Sequence, residues 1–220
     1  MTEYVLLKLA HLLLFVYWLG ADIGVFYAAR FVRDPAQSLE ARKMAVRIMG
    51  WIDQIPRYCL VLMLPVGYTL ARQLGLVELP PIGMVILWVI GFAWLWMVWA
   101  IHHYQGTPRA ERLRSIDLVW RVILVAGLLW DAMQGLRGTG HILVDWLSIK
   151  FALFALLIAC GIMIRVFGKP IGPALRQVLA TGSTPELEVD IARGFSRTRP
   201  FVLGIWGLLL WAAAVGILKP

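Results

Sequence analysis

The chain has 220 residues, 60% of them hydrophobic and 15% charged, with a net charge of +8, a mean hydropathy of +0.76 and a pI near 9.9. A soluble domain is nearer half apolar and a quarter charged, so this composition excludes an ordinary soluble globular protein and leaves no room for a separate soluble domain beside the membrane part. The basic excess does not mark a nucleic-acid binder, because Lys and Arg fall in loops beside apolar stretches and follow membrane topology.

The expected architecture is all-α: one integral membrane domain, residues 1–220, folded as a six-transmembrane-helix bundle. The first span is expected over about 4–29; MTEYVLLKLAHLLLF has no basic leader region and no cleavage-like site, so it reads as a retained span. A basic segment from Arg30 to Arg47 follows. Its periodicity predicts a short surface helix capped by Ser38, with Ala41, Met44, Ala45 and Ile48 on one face. The second span is expected over about 50–74, where Pro56 and Pro65 can kink it. A VELPPIG turn leads to the third span, about 82–102, which carries Trp88, Trp94, Trp96 and Trp99. The fourth covers about 116–134, and the glycine-rich GLRGTGH turn separates it from the fifth, about 142–166. A polar segment from Gly168 to Arg199 contains a second short helix, capped by Ser183 or Thr184 with Pro185 near its first position. The sixth span runs over about 200–218.

Fifteen Lys and Arg residues follow spans one, three and five, against four (Lys8, Arg72, Arg137 and Lys219) on the other side. The positive-inside rule then places both termini outside and the basic loops in the cytoplasm. Cys59 and Cys160 sit singly in apolar runs and read as buried thiols.

Six ionisable residues interrupt the apolar stretches: His11, Asp22, Asp53, Arg57, Asp131 and Lys150. Hydrocarbon penalises such groups, so each is a candidate functional residue. Depth along the spans divides them. Asp22, Asp53 and Arg57 fall in a layer toward the basic loops, where Asp53 and Arg57 form an i,i+4 pair that neutralises itself. His11, Lys150, Asp131 and Tyr68 fall in the opposite layer. His102, His103 and His141 read as interfacial, and Gly20-xxx-Gly24 as a helix-packing motif. Two readings of His11 and Lys150 stand open. As neutral nitrogen bases they can ligate a metal or haem iron. Alternatively, Lys150 pairs with Asp131 while His11 bonds Tyr68 or a backbone carbonyl.

The segment KLAHLLLFVYWLGADIGVFYAAR, with Lys8, His11, Trp18 and Gly20, resembles the first span of the HemJ-type and CopD-like bacterial inner-membrane proteins. DWLSIKFALFALLIACGIMIR resembles their W-x-x-x-K span through Trp146 and Lys150. The resemblance implies a haem b site with His11 and Lys150 as axial ligands, Trp18 and Trp146 packed nearby, and Arg57 balancing acidic groups or propionates. The function it implies is a haem-b redox protein of the bacterial inner membrane that passes electrons to quinone or oxidises a porphyrinogen, alone as a homo-oligomer or within a membrane complex. Two other classes remain open. One is a proton- or copper-coupled transporter using Asp22, Asp53, Asp131 and His11 as a relay, and the other is a structural subunit whose polar residues lock helices together.

Overall fold

A computed structural model describes residues 2–219, and the chain in it is all-α. Eight helices follow in order: α1 (Thr2–Val32), α2 (Leu39–Ile52), α3 (Gln54–Gln73), α4 (Pro81–His103), α5 (Pro108–Leu136), α6 (Asp145–Phe167), α7 (Ile171–Thr181) and α8 (Pro185–Leu218). Among the described residues the extended pairing is limited to one antiparallel bridge, Val77 with Ile142. Four helices, α1, α4, α6 and α8, are long and apolar enough to cross a membrane. They mark the chain as a membrane protein. Its surface agrees: Val5, Leu9, Leu12 and Val16 on α1, Val85 and Val89 on α4, and Leu210 and Trp211 on α8 all stand exposed, which water would not tolerate over so wide an area.

The helices pack chiefly as neighbours in sequence. α1 lies against α2 and α3, α4 against α3 and α5, and α6 against α5 and α8, with α7 on α8. The bundle therefore has two ends. At one, the α3–α4 and α5–α6 connections are clamped together, with Glu78 N donating to His141 O at 2.8 Å and Leu143 N to Leu76 O at 3.0 Å. The N-terminus and the C-terminal end of α8 share this end. At the other end lie α2, α7 and the polar first half of α8.

The expected caps are present. Ser38 Oγ accepts from Ala41 N at 3.2 Å and Thr184 Oγ1 from Leu187 N at 3.4 Å, with Pro185 opening α8. Two expectations change. The short helix begun at Pro185 does not stop before the sixth apolar stretch but runs through Pro200 as one 34-residue helix. Thr198 Oγ1, donating to Phe195 O at 3.1 Å, occupies a carbonyl in the turn before the proline, the kind of local adjustment that lets a membrane helix carry proline. The polar segment after Gly168, expected to hold one short helix from Ser183 or Thr184, also contains α7 ahead of it. α7 buries Ala174, Leu175 and Val178 against Val32, Ala45 and Ile191 in a small second core.

This second core is fastened by Arg42, a side chain only 1% exposed. Its Nε donates to Val32 O at 2.9 Å, and its two terminal nitrogens grip Glu188 at 2.5 and 3.1 Å. Ser183 Oγ adds a 2.6 Å bond to the same carboxylate. A two-pronged guanidinium–carboxylate contact fixes orientation as well as distance, so one residue of α2 ties the end of α1 to the polar start of α8. The Arg42 bonds hold the Glu188 carboxyl below the usual carboxylate range. A group whose folded pKa is lowered stabilises the fold fully above its unfolded value, and that contribution disappears as pH falls through the folded value.

Glu188→Gln is expected to cost about 1.5–3 kcal/mol in local stability at neutral pH. It should also remove the part of the acid destabilisation that sets in below about pH 4. Hydrogen exchange of α7 and the start of α8, measured across pH, checks both effects.

Candidate functional site: two cavities divided by Trp18 and Leu157

The polar residues of the bundle gather around two cavities. The first, about 560 Å³, lies between α1, α3, α6 and α8 toward the clamped end and contains His11, Tyr68 and Lys150 in its wall. The second, about 480 Å³, lies toward the α2–α7 end and contains Asp22, Asp53 and Arg57. Both sizes fall within the ordinary range for small-molecule sites. Two residues, Trp18 and Leu157, line both cavities. They are 4% and 3% exposed, and form the partition between the two. Trp18 is fixed edge-on against Phe154, with ring centroids 6.2 Å apart.

In the histidine cavity, α1 supplies His11 and Phe15, α3 Met63 and Gly67, and α6 Trp146, Lys150 and Phe151. His11 Nδ1 is buried and has no hydrogen-bond partner. Lys150 makes no ion pair among the described residues. Both side chains lie against glycine. A Cβ on Gly67 would stand 3.5 Å from His11 Cε1, and one on Gly216 would stand 2.7 Å from Lys150 Nζ. The second distance is too short for a real side chain, so the Lys150 terminus occupies space that only glycine leaves.

Asp131 is not the partner of Lys150. It accepts from Tyr68 Oη at 3.2 Å and lies 3.9 Å from His141 Nε2, whose ring stacks on Tyr68 at 17°. Tyr68 is therefore committed to Asp131 and not to His11. Both bonds proposed for a self-neutralising outer layer are replaced by a Tyr68–Asp131–His141 cluster beside the cavity. His141 belongs to that cluster, while His102 and His103 pack on Trp51 and Trp99 at the far end of α4.

In the second cavity Arg57 bonds Asp53, as the i,i+4 spacing predicts. Asp22 faces the same space from α1. Arg57 thus lies across the partition from His11 and Lys150. The cations that reach the histidine cavity are instead Lys8 and Lys219, at its mouth.

One residue that the sequence reading passed over joins three helices. Asp117 on α5 is fully buried. It accepts from Trp94 Nε1 of α4 at 2.8 Å, Arg121 Nε at 3.0 Å and Arg165 Nη2 of α6 at 2.6 Å. Arg165 also donates to Arg114 O at 3.2 Å, and the Arg121 guanidinium lies 5.4 Å from the Trp94 ring centre. The sequence held the clue: Asp117 and Arg121 have the same i,i+4 spacing as Asp53 and Arg57. Arg121 and Arg165 instead read as loop charges, because each lies close to a basic connection.

Among the described residues no three His, Cys, Asp or Glu side chains converge as a metal site. The nitrogen bases that line the histidine cavity and could ligate an iron are His11 and Lys150, with Met63 also in its wall. The residues present fit such a group. There is a buried imidazole nitrogen without a partner, an amine held against glycine, aromatic walls from Phe15, Phe151 and Phe154, and two lysines at the mouth to meet carboxylates. Comparison with protein-family models, curated proteins and solved structures finds no match to this chain.

Asp117→Asn leaves two guanidinium groups around a neutral amide. Removing one member of a buried ion cluster costs roughly 3–5 kcal/mol. Thermal unfolding in detergent should show a large fall in midpoint for Asp117→Asn and a smaller one for Trp94→Phe.

Proposed function

We propose that the chain is a six-span protein of the bacterial inner membrane that binds haem b in the histidine cavity, where His11 and Lys150 would hold the iron. Spans two and four are α3 and α5. α3 is 20 residues long and α5 is 29, enough to cross at 1.5 Å per residue. Arg57 of α3 lines a cavity together with Asp53, which just precedes the helix, and Asp117 and Arg121 of α5 are buried. With six spans the clamped end and both termini lie outside, and the basic α2–α7 end lies in the cytoplasm.

The observation that carries the cofactor reading is the place of His11, whose Nδ1 is buried with no hydrogen-bond partner among the described residues, in the wall of a cavity that Lys150 also lines. A buried polar nitrogen costs free energy unless something bonds it, and a metal satisfies an imidazole nitrogen as well as a donor does. The short likeness of the His11 and Lys150 segments to HemJ-type and CopD-like proteins points the same way. Bound haem would supply one-electron chemistry. The chain's part is to hold the ligand side chains in place, exclude water with Phe15, Trp18, Phe151 and Phe154, and present Lys8 and Lys219 to the acidic edge of the ring. On this reading the chain is a redox protein serving quinone or a porphyrinogen.

A second reading, a proton- or copper-coupled transporter, draws on one observation. The two cavities meet back to back at Trp18 and Leu157, so a single partition separates them.

Detergent-purified protein from cells supplied with haem precursor is expected to show a Soret band with about one iron per chain. His11→Ala and Lys150→Ala should lose or shift that band while keeping their unfolding midpoints. Gly216→Ala, which crowds the lysine terminus, should shift the band without replacing a ligand. A colourless, iron-free wild-type preparation contradicts the reading.

A further inference from the structure

We propose that the second cavity is a binding site for an amphipathic phosphate ester, its charged head at the α2–α7 end and its apolar part against Trp18 and Leu157. The site is separate from the histidine cavity and does not depend on haem.

The first argument is charge. The cavity wall carries six cations, Arg33, Arg57, Arg121, Arg165, Lys169 and Arg199, against two carboxylates, Asp22 and Asp53. Asp117, directly behind, is shared by Arg121 and Arg165. Three carboxylates therefore face six cations, and three positive charges lack a counter-charge. Arg33, Lys169 and Arg199 form no ion pair among the described residues. Of these three, Arg33 is half-buried while Lys169 and Arg199 are exposed, so solvent screens the outer two and leaves Arg33 the least screened. Three cations around one opening, with paired cations behind them, offer a multiply charged anion more contacts than a lone carboxylate could use. Guanidinium groups are also the side chains whose paired donors match phosphate oxygens.

The second argument is the gradient along the cavity. Its mouth is cationic and polar: Arg33 follows α1, Lys169 and Gly168 follow α6, and Arg199 stands on α8. Its floor is apolar, formed by Trp18, Leu60, Leu157 and Ile205, all buried. A small inorganic anion would leave that floor empty, and a plain hydrocarbon would leave the mouth uncompensated. A phosphate head on an apolar body satisfies both. Gly50 and Gly161 keep the sides open. A Cβ on Gly50 would meet nothing within 4 Å, and one on Gly161 would approach only the tip of Arg121, at 3.9 Å.

The same chemistry is offered by an anionic phospholipid entering from the bilayer and by a water-soluble phosphate ester entering from the cytoplasm. Unfolding of the protein in dodecyl maltoside, titrated with dodecyl phosphate, tests the site. The wild type is expected to be stabilised, while dodecyltrimethylammonium and inorganic phosphate at equal concentration give no comparable shift. The double variant Arg33→Gln/Arg199→Gln should weaken the apparent affinity at least about tenfold for each head contact worth 1.4 kcal/mol. Arg137→Gln, at the opposite end, should leave it unchanged. Phosphatidylglycerol retained through purification by the wild type and lost in the double variant, seen by native mass spectrometry, identifies the bilayer as the source. Binding of hexyl phosphate without retained lipid identifies a soluble ester. Either result upholds the site. Equal response of the double variant and the wild type, or inorganic phosphate binding as tightly as dodecyl phosphate, overturns it. The haem reading fails separately: His11→Ala should still bind dodecyl phosphate, and the double variant should keep any Soret band.

Discussion

Hydrocarbon cannot hydrogen-bond, and that constraint orders this molecule. Every charge on a helix that faces lipid must be turned inward and then either paired or put to use. The chain meets the requirement with three closed arrangements. Asp117 gathers Trp94, Arg121 and Arg165, Asp53 holds Arg57, and Asp131 holds Tyr68 beside His141. Each links a residue to a near neighbour in sequence or in the bundle, and two of them join different helices. With these charges settled, the outer faces of α1, α4 and α8 are free to be purely apolar.

What stays unsettled is then informative. Among the described residues His11 Nδ1 has no hydrogen-bond partner and Lys150 forms no ion pair. On the other side of the Trp18–Leu157 partition, Arg33, Lys169 and Arg199 also lack one. The first pair are nitrogen bases in an aromatic-walled cavity, suited to a metal-bearing ring. The second group is a cationic mouth over an apolar floor, suited to an anionic amphiphile. The two cavities thus differ in chemistry although they share a wall. A bulky tryptophan at that wall, held edge-on by Phe154, keeps the two environments apart.

Much of this was legible in the sequence, and what was not has physical reasons. Apolar length gave α1, α4 and α6 closely, because a membrane helix is defined by its own composition. The Ser38 and Thr184 caps followed from local hydrogen bonding, which needs no tertiary information. The division of polar residues into two layers followed from depth, since residues at one depth on neighbouring helices fall at one level of the bundle. Partner choice did not follow. Asp131 could reach Lys150 or Tyr68 by depth alone, and only the rotation of α5 about its axis decides between them. Asp117 was missed because a charge near a basic loop looks solvated until the packing of α4 and α6 over it is known. The continuity of α8 through Pro200 was missed because proline is a weaker helix breaker in an apolar bundle than in water.

The bundle encloses two cavities that lie toward opposite ends and are divided by Trp18 and Leu157. Side-selective labelling with a membrane-impermeant thiol reagent tests this arrangement most directly. After Cys59→Ala and Cys160→Ala remove the native thiols, single Met63→Cys and Val25→Cys variants place one cysteine in each cavity. In sealed vesicles of known orientation, Met63→Cys should react only from the side of the clamped connections and Val25→Cys only from the side of α2 and α7. Reaction of either cysteine from both sides, with Trp18 intact, would contradict the account.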